Sequence, residues 1–290
     1  MDKILISVLG GLGGMFGWGT SDFFANQASD KIGHIRAFFW SQVAGVFLFL
    51  FILILIRPDF SFDLFLIPLL IVAAFGYGVG YLFFYKAFEI GNVSVVSAVI
   101  NLNTILAISV AIIVFGQKLN HIQTLGVSMV VIGVILVGIN FKDLAVGKTS
   151  LTKGVKETIF ASVLLGIFYW PVNEYITERA HWLSTSFIIK LLSLVIVFFI
   201  ALTQKMKLKF KNKTKNILLI VVLVGILEAV GVLSTSFGVS IGDSVLVAPI
   251  ASAFSIVTIT LAIIFLKEKI TKIQGFGIAM AVVGIILTAV

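Results

Sequence analysis

Glu228 stands inside the apolar run Ile220–Val232, flanked by Leu227 and Ala229, with no lysine close to it in sequence. A carboxylate at that depth facing lipid would cost roughly 2.5 kcal/mol or more, so it must face protein or water. There it can exchange a proton or pair with a solute. The alternative is a structural ion pair with Lys190, which lies within its own apolar run and has Ser186 and Ser193 on its face. Two further acids come with an aromatic partner. Asp22 follows Trp18 by four residues, and Glu174 follows Trp170 at the same spacing, so each pair shares a helix face. The aromatic can stack on an apolar or cationic solute, and the carboxylate can carry a proton or bind a cation. Alternatively, each acid sits near the end of its run and is merely solvated.

Several polar and aromatic positions extend this set. Asn101 and Thr104 share one face, and Ser252 and Ser255 repeat them later in the chain. Such groups either line a path or hold helices together. Tyr77, Tyr81 and Tyr85 step along one side of a helix. Tyr77 and Tyr81 are expected at a cavity, and Tyr85 reads as an interface anchor. Trp40 and Gln42 join the candidates, and Pro249 suits a first turn or a kink. Gly76, Gly78 and Gly80 alternate, which reads as tight packing or a bend rather than a GxxxG pair. Enzyme chemistry is sparse. The histidines His34, His121 and His181 are scattered without metal-ligand spacing, and there is no Cys, HExxH, GxSxG or Walker motif. Neither cofactor nor metal is expected, and no ATP-driven step.

The elements that must position these residues follow from composition. Of 290 residues, 60% are hydrophobic and 12% charged, with a mean hydropathy of +1.17. That is too little charge to cover a water-facing surface. A hydrocarbon core needs about 20 apolar residues per helix. Ten runs qualify: Ile4–Ala25, Ile35–Ile56, Leu64–Phe88, Val93–Phe115, Ile122–Asn140, Thr158–Thr177, Leu183–Thr203, Ile217–Val239, Ser244–Leu266 and Ile273–Val290. The expected fold is all-α, a polytopic membrane protein of ten transmembrane helices. The first run is long for a signal core, and Trp18 and Asp22 do not suit a cleavage region. The expected units are 1–141 and 158–290, joined by a lysine-bearing linker, 142–157.

The halves repeat. Ile90–Gly138 lies on Ile241–Ala289 without a gap, about a third of the pairs being identical, among them Gln123/Gln274, Gly126/Gly277 and Gly133/Gly284. A nearly equal shift pairs Trp18 with Trp170 and Asp22 with Glu174, and Tyr77 is the counterpart of Glu228. Five spans per half make the copies inverted, as in many secondary transporters, whose solute site lies at the repeat interface.

The run Val247-Ala248-Pro249-Ile250, then Leu266-Lys267-Glu268-Lys269-Ile270-Thr271, Gln274-Gly275-Phe276-Gly277 and Gly284, resembles the second half of an EamA-like member of the drug/metabolite transporter superfamily. Trp18-Gly19 late in the first run adds to the likeness, which covers nearly the whole chain. The resemblance implies a ten-helix carrier of small organic solutes, amino acids or related compounds first, working by alternating access. Two features depart from it. Gln117 stands where the second half has Glu268, and the charge bias opposes cytoplasmic termini.

Alternate loops share a face, and 16 of the 21 Lys and Arg residues fall on the face opposite the termini. The positive-inside bias makes that face cytoplasmic. Both termini then share the outer side of a plasma membrane. Expected partners are a small-molecule substrate and the lipid bilayer, with proton coupling and a homodimer as open options; nucleic acid is not expected. A membrane-embedded lipid-handling protein or enzyme would need a clustered polar site. A non-transporting scaffold would not need related polar positions in both halves.

Overall fold

The computed structural model describes residues 3–60, 63–115, 120–138, 151–177, 179–209, 215–241, 247 and 250–288. Pro249, Gln117, Lys118 and most of the linker lie outside these residues. The helices are α1 Lys3–Ile32, α2 His34–Ile56, α3 Leu66–Ile90, α4 Val93–Val114, α5 His121–Gly138, α6 Val155–Thr177, α7 Trp182–Thr203, α8 Lys215–Ile241, α9 Ile250–Leu266 and α10 Lys272–Thr288. Seven are long and apolar enough to cross a membrane, and α5, α9 and α10 are shorter. The protein is a multi-pass, all-helical membrane protein.

Its surface is inverted relative to a soluble protein. Phe47, Phe51, Ile54, Leu219, Ile113 and Phe265 face outward, whereas Asp22, Gln42, Asn101, Lys190 and Glu228 are buried. Outward apolar side chains on this scale suit hydrocarbon, where each helix satisfies its own backbone.

Three helices depart from regular winding. α4 breaks at Ile100 and Asn101, between Val93–Val99 and the stretch that begins at Leu102. α6 contains a π turn over Leu164–Tyr169, and α9 ends in another over Ala262–Leu266. A π turn widens the helix and alters the phase of the residues after it.

Packing follows the repeat. α1 packs on α8 as α6 packs on α3; α2 on α8 as α7 on α3; and α1 on α9 as α6 on α4. α5 packs on its own counterpart α10, and α2 on α7. Exchanging the halves therefore maps these contacts onto one another. Close approach depends on glycine at the α1–α8 crossing, where a Cβ on Gly17 would lie 2.8 Å from the Gly231 nitrogen. Gly76 and Gly80 both lie against α6, at Leu164, Leu165 and Phe168, while Gly78 meets Ser193 of α7. The alternating glycines thus do contain a GxxxG pair, because positions four apart share a helix face.

The loops expected on one face meet at one end. Arg36 donates to the Lys207 carbonyl at 2.7 Å, Lys86 pairs with Glu157 at 3.5 Å, and His34 Nδ1 meets Glu89 at 2.5 Å. Glu268, between α9 and α10, accepts from the backbone N–H groups of Val93 and Ser94 at 2.7 and 2.9 Å, and from the Ser94 hydroxyl at 2.6 Å. It caps α4, satisfying N–H groups that the first helical turn leaves unpaired.

Candidate functional site

Residues related by the repeat touch one another across the interface between halves. Trp18 of α1 and Trp170 of α6 cross edge to face with centroids 5.5 Å apart. Tyr77 of α3 donates its hydroxyl proton to Glu228 of α8. Gly133 and Gly284 take part in the α5–α10 contact. Two groups of buried polar residues lie along this line.

The first group surrounds Glu228. Lys190 reaches from α7 to pair with its carboxylate, and the Lys190 ammonium also lies 3.3 Å from the Tyr77 hydroxyl. Glu228 and Lys190 are each about 97% buried or more (2% and 3% exposed). The Tyr77 and Phe49 rings lie 5.6 and 5.7 Å from Lys190 Nζ, within cation–π range. Gly45 of α2 makes room for the lysine, since a Cβ there would lie 2.5 Å from Lys190 Cε. The Gln42 carbonyl oxygen stands 3.5 Å from the Tyr77 hydroxyl, and its buried amide nitrogen has no partner among the described residues. A cavity of about 10 Å³ lies beside this cluster, lined by Tyr77, Tyr169, Asn173, Ser186, Ile189, Lys190 and Val232.

The second group surrounds Asp22. A cavity of about 20 Å³ is lined by Trp18, Asp22, Tyr81, Phe84, Ile100, Asn103, Leu165, Tyr169, Trp170 and Phe254. That volume holds one or two waters. Asp22 is held in place by its helix. Ser21 donates to the Val224 carbonyl at 3.0 Å, Thr258 of α9 donates to Gly19 at 3.0 Å, and Asn26 donates to Phe88 at 2.8 Å. These bonds fix α1 against α8, α9 and α3 on both sides of the acid.

The expected residues divide accordingly. Trp18, Asp22, Tyr81 and Trp170 meet at one cavity; Tyr77 and Lys190 line the other, and both bond to Glu228 beside it. Four others are not brought to either. Glu174 is exposed in the last turn of α6, three residues before that helix ends, whereas α1 runs ten residues beyond Asp22 and buries it. The two acids therefore do not form matching walls. Trp40 donates its indole N–H to the Leu208 carbonyl at 2.9 Å, anchoring α2 to the chain after α7. Asn101 donates to Ser255 at 3.3 Å, joining α4 to α9, and Ser252 is half-buried on α9. Tyr85 is buried rather than interfacial, with its hydroxyl 3.5 Å from Ser41.

Tyr169 is the residue the spacing missed. It lines both cavities, with its ring 5.0 Å from Tyr77 and 4.9 Å from Trp170. Its repeat counterpart is Gly17, so pairing the halves draws no attention to it. The aromatic doublet Tyr169-Trp170 was the available signal. Asn103 likewise faces the Asp22 cavity, beyond the break that redirects α4.

Comparison with known proteins agrees with this architecture. The profile of the EamA-like transporter family matches residues 5–139 and again 157–290. An uncharacterized protein of Methanocaldococcus jannaschii is 26% identical over 145 residues, 49% of this chain and 97% of that protein. A crystal structure of a protein with 14% identity aligns with a TM-score of 0.65, covering 97% of this chain and 95% of that one, and so shares the fold.

Proposed function

We propose, since this chain belongs to the EamA-like transporter family, that it is a secondary active transporter of small organic metabolites, amino acids or related compounds, working by alternating access. The family is one of membrane transporters; the solute class and the mode of movement are our reading. The observation that carries it is the meeting of repeat-related residues, Trp18 with Trp170 and Tyr77 with Glu228, around small cavities at the interface between halves. A carrier built from inverted repeats places its solute there, because exchanging the conformations of the halves exposes that line to each side in turn.

In this reading the chain crosses the membrane ten times, as five-helix repeats 1–141 and 158–290 joined by 142–157, with α5, α9 and α10 completing the seven longer spans. Contacts among the lysine-bearing loops support a common face for them, which the charge bias makes cytoplasmic in a plasma membrane, both termini being outside. Asp22 is the solute-facing carboxylate and the group through which protons couple. Lys190, Glu228 and Tyr77 tie α7, α8 and α3 together beside it. Trp18, Trp170 and Tyr81 are the walls.

Purified protein in liposomes tests this. Preloaded unlabelled solute is expected to drive counterflow of the labelled form, and Asp22→Asn to abolish it. Absence of counterflow across a broad metabolite panel, with the protein folded, would overturn the carrier reading.

A further inference from the structure

Asp22 is 5% exposed, and among the described residues its side-chain carboxyl accepts no hydrogen bond and forms no ion pair. The buried base of the same interior, Lys190, is already committed to Glu228 and lines the other cavity. Among the described residues no Lys, Arg or His lines the cavity at Asp22. Its walls are mostly aromatic, with Ile100, Leu165 and the neutral amide of Asn103 completing them. Trp18 meets Trp170 at 5.5 Å and Phe254 at 6.2 Å, with Tyr169 4.9 Å from Trp170 and Tyr81 beside them. Aromatic faces attract cations, and the attraction strengthens where water is excluded.

A lone carboxylate among aromatic faces is complementary to one positive charge carried on an apolar body. An anion would meet Asp22 with no cationic side chain among the described lining residues to offset it. A zwitterion would bury a carboxylate with no base beside it unless Lys190 left Glu228, and an unpaired buried charge is costly. We infer that the Asp22 cavity is an organic-ammonium subsite, which takes amines lacking a carboxylate in preference to amino acids of the same body. The inference rests on the carrier reading and narrows its solute class from amino acids and related compounds to the amines among the latter. At about 20 Å³ the cavity is contracted around Asp22, so a solute must displace a wall. Tyr169, which separates the two cavities and sits in a π turn, is that wall.

The full chain in detergent is titrated with phenethylamine, benzyltrimethylammonium, phenylalanine and 3-phenylpropanoate, reading the unfolding midpoint and tryptophan emission. Phenethylamine is expected to act at concentrations about tenfold lower than phenylalanine. Benzyltrimethylammonium should act as phenethylamine does, and 3-phenylpropanoate should have no effect. Asp22→Asn should remove the response to both cations, and Asp22→Glu should keep part of it. Phenylalanine binding as well as phenethylamine, an undiminished response in Asp22→Asn, or no response to either cation at millimolar concentration overturns the subsite. Should Asp22→Asn fail to fold, the ranking of the four ligands on the wild-type chain decides alone. Liposome counterflow separates the two readings. Cation binding without flux of any solute overturns the carrier and keeps the subsite, whereas flux of a solute with which phenethylamine does not compete keeps the carrier and overturns the subsite.

Discussion

Glu228 and Asp22 are both carboxylates buried in the same helical interior, and their company differs. Glu228 has a lysine, a tyrosine hydroxyl and a glycine-made space for that lysine, all from different helices. Asp22 has aromatic rings and a cavity. A charge whose partners come from two other helices holds the three together. A charge left without a partner needs one from outside, whether proton or solute. Sequence depth alone ranked Glu228 first, because it lies deepest in an apolar run; the structure shows that depth and availability are separate properties.

The largest effect is expected at the Lys190–Glu228 pair. Glu228→Gln leaves Lys190 buried and unpaired, and unfolding in detergent is expected to show a loss of about 3–5 kcal/mol. Adding Lys190→Met should recover most of that stability and the liposome flux with it. Recovered stability without flux would move Glu228 from the architecture into the mechanism. Asp22→Asn should do the reverse. Flux falls at least about tenfold, while the unfolding midpoint holds or rises, since an amide is cheaper to bury than an unpartnered carboxylate.

Gly45→Ala tests the space made for Lys190. The added methyl meets Lys190 Cε, and overpacking of this kind costs about 1–3 kcal/mol, read as a lower midpoint. Its effect on flux should follow stability and should not change with the solute. The smallest effect is expected from Trp18→Phe, which keeps an aromatic face at Asp22 but loses indole area. Solute affinity should weaken by about 0.5–1.5 kcal/mol with stability little changed, measured by fluorescence titration.

How much of this was readable beforehand follows from what each feature depends on. The seven longer spans were legible because a membrane demands about 20 apolar residues wherever a helix crosses it, a local property. The runs Ile35–Ile56 and Leu183–Thr203 match α2 and α7 to within a residue at each end. The Lys190–Glu228 pair was legible too, since two buried opposite charges have few other places to go. Glu174 misled because equal spacing from a tryptophan says nothing about how far each helix continues. Tyr169 and Asn103 escaped notice because a π turn and a helix break change which residues face inward, and neither leaves a compositional mark. The pairing of Gly76 with Gly80 was legible and was masked by Gly78 between them.

The cap that Glu268 places on α4 bears on timing. Both its oxygens are engaged by the first turn of a helix from the other half, so any motion parting α4 from the α9–α10 loop must release three charge-assisted bonds. Such bonds are worth about 1.5–3 kcal/mol each, and every 1.4 kcal/mol of barrier lengthens the wait tenfold. The repeat-related residue is Gln117, which carries no charge to make an equal clasp. In the carrier reading the dwell times at the two ends would be set unequally by this one carboxylate, and Glu268→Gln should shorten the longer of them.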